Sequence, residues 1–405
     1  GSDPHWGWAR KICARLLSTG LEKNKIPISQ KDTIWQIIET ITEDPDPFPE
    51  NDELTSMDPA TESINTVRGE AMHAVVRYAL WVRESVSVES GTKSDEGNFS
   101  MDYIPEVRKC LEKHLDSTID SSPAIRAIYG QWFPCLHFID AKWVKNNIEN
   151  IFPEDNIVLK NAAWHTYLQF CSVYNDPFNI LKDLYSSTIN DFANKSYSGF
   201  PNYVPERIGE HLMVMVGRGI LDWENENGLV KRFFANVSPD YGMCAIEFVG
   251  RSLRNDANII PDEVVDRFRV LWEHLITYVE NAPEKVRLVA PFAWWFISDR
   301  FETKWAFKQL LTAIKISNLI EPEYVVLEHL ASDLSVRETT NSLKVLKALV
   351  QKDKNGWTFS GLEENVITIL KAGLMSQSDK SETTSIIHEL GAKGYLKFRD
   401  LLNSQ

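Results

Sequence analysis

Apolar residues recur at helical spacing around most of the circumference of one segment, residues 63–84. One apolar stripe follows the three-to-four-residue period: Ile64, Val67, Ala71, Ala74, Val75, Tyr78 and Val82. A second set widens that stripe: Met72, Val76, Ala79 and Leu80. A helix that is apolar on two sides needs packing neighbours on two sides. The pattern therefore predicts a helix inside a stacked helical array, in a protein built as a scaffold that presents a surface.

Helical spacing continues along nearly the whole chain, while the period-two alternation of strands is absent over any useful length. Helices are predicted at 4–19, 30–42, 61–86, 103–116, 122–132, 139–148, 157–174, 177–194, 205–218, 227–237, 240–255, 261–281, 285–298, 302–317, 322–333, 337–351, 360–374 and 381–402. The last of these contains Gly391 and Gly394, and we expect it to break near them.

Several of these helices begin at recognisable signals. Pro123 lies where a helix is predicted to begin, and proline suits a first turn. Asp262 and Glu263 place negative charge in another first turn. Asp176 is the candidate N-cap of the helix predicted after it.

Two polar segments, residues 43–60 and 87–100, are predicted loops. The second fits either a mobile loop that is accessible to a partner or a tolerated surface insertion, and we favour the insertion. After residue 205, helix pairs follow one another at intervals of about 35–45 residues, as in HEAT repeats. Short connections favour antiparallel neighbours, and stacking covers the apolar faces that a single pair leaves open. The expected fold is all-α: an α-solenoid of antiparallel helix pairs, HEAT- or TPR-like, with an irregular N-terminal helical part.

The same pattern divides the chain into three regions. Residues 1–60 are predicted to form N-terminal helices and an acidic, proline-rich loop, and residues 61–204 a helical bundle or repeat region. Residues 205–405 are predicted to form HEAT-like repeats. The chain begins Gly1-Ser2 without methionine, which is typical of a cleaved expression tag and suggests a piece of a longer protein.

Composition narrows the class of partner. Asp and Glu number 57 against 43 Lys and Arg, a net charge of −14. A chain this acidic is a poor candidate for general nucleic-acid binding, because attraction to phosphates requires a basic surface. The longest apolar run, residues 288–297, is shorter than the ~20 residues that span a bilayer, so we expect no membrane span. Five scattered cysteines favour a reducing, cytoplasmic setting.

No catalytic, cofactor-binding or metal-binding constellation is predicted. The chain lacks a phosphate-binding loop, a dinucleotide fingerprint and a hydrolase elbow, and its cysteine and histidine spacings do not fit zinc. His211 and His274 are isolated on helices and are interpreted as satisfied or exposed polar groups. Cys171 and His165 lie on different faces of one predicted helix, and Cys244 is predicted to be a core residue.

Three further polar or aromatic features allow more than one interpretation. Asp140 and Lys142 have the local spacing of a metal-dependent nuclease but lack its strand framework, so we favour a solvated helix start at Asp140. The polar stripe Glu70, His73 and Arg77 fits either an exposed edge or a buried network, and we favour the edge. Three adjacent rings, at 294–296, cannot all face inward on one helix, so one is expected to reach a groove or a partner.

A partner-binding surface is therefore predicted around these rings. Arg251, Arg254, Asp299 and Arg300 are expected to line an inner surface of the solenoid. The candidate partner-binding residues are Trp294, Trp295, Arg251, Arg254 and Arg300.

Five strings are more particular than a solenoid requires: SINTVRG at 63–69, RYALWV at 77–82, PAIRAIYGQWFP at 123–134, HLMVMVGRG at 211–219 and EFVGRSL at 247–253. They resemble the C-terminal helical-repeat region of large bacterial STAND NTPases, including the Avs-type antiphage proteins. The likeness covers about residues 57–350 and is strongest at 57–255.

The resemblance implies a sensor role. In that family an N-terminal effector and an ATPase module precede C-terminal repeats that bind a phage protein, such as a terminase large subunit or portal. Binding promotes oligomerisation and activates the effector. This chain would be the non-catalytic sensor alone, in the bacterial cytoplasm, without cofactor. The alternatives are a structural or oligomerisation scaffold without its own ligand, and an enzyme with an unfamiliar helical active site.

Overall fold

The computed structural model describes residues 6–48, 57–89, 99–194, 200–224, 228–255, 257, 259–317, 320–354 and 356–403. Every regular element within these residues is helical and none is a strand, so the all-α prediction is confirmed. Of the predicted loops at 43–60 and 87–100, residues 49–56 and 90–98 lie outside the described residues. Residues 43–48 are non-helical as predicted, but one helix begins at Pro59 and another extends to Glu89. Contacts divide the chain into two compact units, Gly1–Asp183 and Leu184–Gln405.

Helices of the first unit are α1 (Gly7–Glu22), α2 (Lys31–Thr42), α3 (Pro59–Asn65), α4 (Val67–Glu89), α5 (Pro105–Leu115), α6 (Pro123–Gln131), α7 (Phe133–Ile139), α8 (Ala141–Asn146), α9 (Ile148–Ile151), α10 (Ile157–Phe170) and α11 (Asn175–Ile180). Short 3-10 helices occur at Ile28–Gln30 and Met101–Tyr103.

The two-sided apolar helix predicted at the centre of this unit is confirmed. Helix α4 contacts α1, α2, α3, α6 and α7. All α4 members of the two apolar sets are buried, such as Ala71, Met72, Val76 and Tyr78, except Leu80, which is half-buried. Surrounding helices therefore cover most of its circumference, as the sequence pattern requires.

The predicted single helix at 61–86 is instead two helices, because Thr66 adopts an extended backbone between α3 and α4. The break turns the chain so sharply that a Cβ on Gly69 would lie 2.0 Å from the backbone oxygen of Ser63. One consequence is that Ile64, predicted in the apolar stripe, is exposed. Glycine is also required at Gly130, where α6 crosses α10 and a Cβ would lie 1.9 Å from the oxygen of Ala163.

Helices of the second unit, with α12 crossing its beginning, are α12 (Lys182–Ala193), α13 (Tyr203–Gly217), α14 (Leu229–Asn236), α15 (Pro239–Arg254), α16 (Asp262–Asn281), α17 (Phe292–Phe296), α18 (Thr303–Ser317), α19 (Glu323–His329), α20 (Ser335–Arg337), α21 (Thr339–Lys352), α22 (Glu363–Met375), α23 (Lys380–Ala392) and α24 (Asp400–Asn403). A π-helical turn lies at Leu330–Leu334, and 3-10 helices lie at Pro283–Val289 and Leu396–Arg399.

The core of the second unit is rich in aromatic rings. Trp272 stacks on Phe292 with ring centroids 4.6 Å apart and meets Trp295 and Trp305 edge to face. The indole nitrogen of Trp305 donates to a carboxylate oxygen of Glu273 at 2.9 Å. This cluster holds α16, α17 and α18 together.

Most of the predicted helix boundaries agree with the structure to within a few residues. Pro123 opens α6, and Asp262 and Glu263 lie in the first turn of α16. The last predicted helix breaks where expected, since α23 ends before Gly394, which has φ +97°. The prediction that Asp176 caps a helix is wrong: it lies inside the first turn of α11.

Candidate functional site

The predicted partner-binding residues lie around the junction of α15 and α17, where a glycine permits close packing. A Cβ on Gly250 would lie 2.5 Å from Cβ of Trp294 and 2.8 Å from Cδ1 of Trp295. Only a residue without a side chain allows α17 to approach α15 this closely. The glycine in the EFVGRSL string therefore positions both tryptophans.

Trp295 is a core residue. It is fully buried, and its indole nitrogen donates to the backbone oxygen of Ile246 at 2.7 Å. The expectation that one of three adjacent rings reaches the surface is wrong, because Trp294, Trp295 and Phe296 are all buried. Helix α17 is short, and its three rings pack against different neighbours: Trp294 against α15, Trp295 against α16 and Phe296 against α18.

Two arginine side chains lie over the ring of Trp294. The guanidinium carbons of Arg251 and Arg254 lie 4.6 and 5.8 Å from the ring centroid. Arg251 also binds Glu247 through Nε at 2.7 Å and Nη2 at 2.6 Å. Among the described residues, Arg254 has no carboxylate partner and is exposed. The outer face of this site is therefore made of guanidinium groups on an aromatic base.

Arg300 lies between α17 and α18, and its side chain reaches the C-terminal end of α15. Its Nε donates to the backbone oxygen of Leu253 at 3.0 Å, satisfying a carbonyl of the last turn of α15. The preceding residue, Asp299, has φ +55° and lies 3.0 Å from Nε2 of His329. The structure thus brings together four of the five predicted residues, Arg251, Arg254, Trp294 and Arg300, which we name the Arg–Trp surface.

The polar stripe on α4 differs from prediction. Glu70 and His73 are buried, so the favoured exposed edge is wrong and the buried network is what forms. Helix α1 supplies Arg15, which binds the Glu70 carboxylate, and Glu22, which lies 3.0 Å from Arg77. These polar groups can be buried because neighbouring helices bring partners of opposite charge.

Hydrogen bonds fix the protonation of His73. The indole nitrogen of Trp132 can only donate, so Nδ1 of His73 accepts at 2.8 Å and the ring proton lies on Nε2. Nε2 then donates to Oγ of Ser63 at 3.0 Å, and that hydroxyl donates to the oxygen of Ala60 at 2.7 Å. In this tautomer His73 cannot withdraw a proton from Ser63, so the pair does not form an activated nucleophile.

Burial, reinforced by the positive charge of Arg77, lowers the pKa of His73 to about 4. The imidazole is therefore neutral at neutral pH. Arg77 lies with its guanidinium carbon 4.5 Å from the ring centroid of Trp132, so the network extends from α4 to the end of α6. Each member of this network has a partner within the first unit, which is typical of a structural site.

A second buried cluster, centred on Asp120, was not predicted. Nδ1 of His114 lies 2.8 Å from Oδ2 of Asp120, and Nε of Arg68 lies 3.0 Å from the same oxygen. Burial alone would raise the pKa of Asp120, but the hydrogen bond from His114 and the charge of Arg68 hold it below its usual value. Arg68 also donates to the oxygens of Asp44 and Pro47, so it ties α4 to the segment after α2.

No spacing signal announces this cluster, because its members come from α4, α5 and the segment between α5 and α6. It borders a cavity of about 330 Å³ lined also by Lys113, Phe48 and Ile119. Within the described ranges no group of three or more His, Cys, Asp or Glu residues is placed to hold a metal ion.

The remaining candidates have local roles. His211 lies 2.7 Å from the hydroxyl of Tyr185, so it is a satisfied polar group as predicted. Asp140 caps α8 by accepting from the backbone nitrogen of Trp143, which confirms the helix start. Cys244, predicted as core, is exposed, because it lies on the face of α15 opposite its buried residues.

His274 stacks parallel to Trp223 at 5.9 Å between ring centroids. The thiol of Cys171 lies 3.1 Å from the backbone oxygen of Gln131, and burial raises the pKa of that thiol. A cysteine whose pKa is raised is a poor nucleophile.

No helix in the described part of the chain is both long and apolar enough to cross a bilayer. Comparison of the chain with models of known protein families, with curated proteins and with solved structures finds no match.

Proposed function

We propose that this chain is a non-catalytic protein-recognition module, the sensor of a bacterial antiviral STAND NTPase. It binds a phage structural or packaging protein, of the terminase or portal class, and reports binding to an NTPase and effector that lie outside this sequence. The family strings at 57–255 support the class of protein, and each of the five contains residues of the sites described above. EFVGRSL includes Gly250 and Arg251, and PAIRAIYGQWFP includes Gly130 and Trp132.

The Arg–Trp surface is the observation that carries this proposal. Arginine and tryptophan are over-represented among residues that dominate binding energy at protein interfaces. Here the guanidinium of Arg254 has no described carboxylate partner, and that of Arg251 pairs with one half-buried glutamate, Glu247. The tryptophan beneath holds the arginine side chains in place, so less conformational entropy is lost when a partner binds.

The proposal includes a solenoid arrangement of helix pairs in the second unit. Helices close in sequence are the ones that pack together there: α15 on α13 and α17, α18 on α21, and α22 on both α21 and α23. The strongest helix contacts of the second unit join helices no more than three positions apart along the chain, as stacked helix pairs require, and a solenoid offers a long surface for recognising whole folds.

Capture of defined phage proteins tests the proposal. Purified terminase large subunits and portal proteins from several phages would be passed over the immobilised chain and over an Arg251→Glu/Arg254→Glu variant. We expect at least one protein to bind the wild type, with affinity lowered by tenfold or more in the variant. Arg269→Glu on α16 is the matched control, since Arg269 is similarly exposed and ion-paired. Failure of every phage protein to bind, while the parent protein still protects cells, would contradict the proposal.

One observation favours the scaffold alternative. Helix α1 exposes Trp8 and Leu16, which line one shallow apolar groove together with Ile12, a surface of the kind that mediates association. Self-association of the isolated chain, lost in a Trp8→Glu/Leu16→Glu variant and measured by light scattering, would support oligomerisation as the main role. A monomer at micromolar concentration would argue against it.

A further inference from the structure

We infer that the cavity between the end of α13 and α16 binds a basic side chain of the partner protein. The inference rests on the proposed function, and it adds the chemistry of one group that the partner must present. The cavity has a volume of about 320 Å³, and all residues that line it belong to the second unit. Its apolar lining consists of Val216, Leu221, Trp223, Val270 and Leu271.

The turn after α13 forms one wall of this cavity. Gly219 has φ +72°, and the backbone nitrogen of Ile220 donates to the backbone oxygen of Met215 at 2.9 Å, as at many helix ends. A Cβ on Gly219 would lie 3.0 Å from Cζ and Nε of Arg267. Nη1 of Arg267 donates to the backbone oxygen of Gly217 at 2.6 Å, so this guanidinium is held against the turn.

The apolar lining favours an occupant with an aliphatic stem. Most of the lining is buried, but Val270 is 44% exposed. A chain of methylene groups that enters the cavity covers Val270 and removes apolar surface from water, which is favourable. Lysine and arginine bury their stems in this way while their charged ends stay in contact with water.

Two carboxylates favour a positive charge on that occupant. Asp222 and Asp266 line the cavity and are exposed, so they lie at its opening. Asp222 has no hydrogen-bond or ion-pair partner among the described residues, and Asp266 pairs with Arg269 of its own helix at 3.4 Å. The net charge of −14 also attracts a basic group at long range.

An anionic occupant is the alternative that Arg267 favours. Its guanidinium already donates to the oxygen of Gly217, however, and the two aspartates at the opening repel an anion. The balance of charge around the cavity therefore selects a cation.

Three probes with the same six-carbon chain test the charge without any substitution: hexylammonium, hexanol and hexanoate. Methyl NMR spectra of the full chain would follow Leu221 and Val270, with Val270→Ala used for assignment. We expect hexylammonium to shift these signals at the lowest concentration, hexanol at a higher one and hexanoate at the highest.

An Asp222→Asn/Asp266→Asn variant tests which groups supply the preference. Because exposed ion pairs contribute little each, we expect its affinity for hexylammonium to fall by about fivefold, while its affinity for hexanol stays unchanged. The matched control is Glu280→Gln/Glu328→Gln, since both glutamates are exposed in the same unit and have no partner in the described part of the chain. Circular dichroism of each variant separates loss of binding from loss of fold.

Three results would overturn the inference: equal binding of the three probes, tightest binding of hexanoate, or an equal loss in the control. The phage-protein capture described above keeps the two proposals apart. A phage protein that binds the wild type and the Asp222→Asn/Asp266→Asn variant equally would leave the sensor role standing and remove the cavity from it. If no phage protein binds while the probes behave as expected, the proposed function fails and the preference of the cavity for a basic group stands.

Discussion

Both units place an arginine over a tryptophan, but the surroundings of the two sites differ. Arg77 lies 4.5 Å from the ring centroid of Trp132, and Arg251 lies 4.6 Å from that of Trp294. The side chain of Arg77 is 29% exposed, whereas that of Arg251 is 63% exposed. The distance from the guanidinium to the ring therefore does not distinguish a structural contact from a candidate binding contact.

The two sites differ in how many of their polar groups have hydrogen-bond or ion-pair partners on other helices of the same unit. Trp132 donates to His73, His73 donates to Ser63, and Arg77 pairs with Glu22 from another helix. At the Arg–Trp surface, the Glu247 partner of Arg251 comes from the same helix, and Arg254 adds a second guanidinium. A network closed on itself fixes the fold, while a surface with spare donors can bind another molecule.

Glycine substitutions give the largest expected effect and test whether both sites depend on close helix packing. In Gly130→Ala the new Cβ would meet the backbone oxygen of Ala163, which cannot rotate away. We expect the free energy of unfolding to fall by about 3 kcal/mol. In Gly250→Ala the overlap is smaller, at 2.5 Å from Cβ of Trp294 and 2.8 Å from Cδ1 of Trp295, so we expect a loss of about 2 kcal/mol.

Urea denaturation followed by circular dichroism measures both losses. The control is Gly7→Ala, where the nearest atom would be an ordinary contact at 3.8 Å and alanine favours the helix. A Gly130→Ala protein as stable as the control would mean that α6 and α10 are not packed as described.

The pH dependence of stability tests the closed network. Because the pKa of His73 is lowered to about 4, below its usual value of 6.5, the folded state binds its proton less readily than the unfolded state. Its contribution is present above pH 6.5 and is lost as the pH falls towards 4. We expect about 2 kcal/mol of lost stability between pH 7.5 and 4.5 from this residue.

His73→Gln isolates that contribution, since glutamine can accept from Trp132 and donate to Ser63 without titrating. The free energy of unfolding of both proteins would be measured by urea denaturation at pH 7.5, 5.5 and 4.5. The excess of the wild type over the variant should shrink as the pH falls. If the free energies of unfolding of the two proteins change equally with pH, His73 is not buried as a neutral ring.

Sequence alone predicted the helical class and the two-sided packing of α4, because both follow from the spacing of apolar residues. It did not predict the break at Thr66, since no proline or glycine stands there and the backbone nitrogen of Val67 after the break donates to a carboxylate oxygen of Asp46, 21 residues away. Burial of Glu70 and His73 was missed for a similar reason. Their partners Arg15 and Trp132 are 55 and 59 residues away in sequence, and only the fold brings them together.

For the proposed binding surface, the sequence prediction of exposure was wrong. One of the rings at 294–296 was expected to reach the surface, but all three are buried, and the arginines lie over the ring of Trp294. The signal that could have shown this is Gly250: a glycine in mid-helix indicates that a bulky neighbour packs closely against it.

Arginine truncation gives the smallest expected effect and separates the two sites most simply. Arg77→Ala should lower the free energy of unfolding by about 1–2 kcal/mol, because the cation is partly desolvated over Trp132 and paired with Glu22. Arg251→Ala should cost less than about 1 kcal/mol, since exposed ion pairs contribute little. Equal losses, measured by urea denaturation, would remove the distinction between a structural site and a binding surface.

Hydrogen–deuterium exchange with a captured phage protein tests most directly whether the Arg–Trp surface is where the partner binds. We predict slower exchange at residues 250–255 and 292–300 when the protein binds, with no change at 70–80 or 128–133. Protection at the His73 network, with none at the Arg–Trp surface, would contradict this assignment.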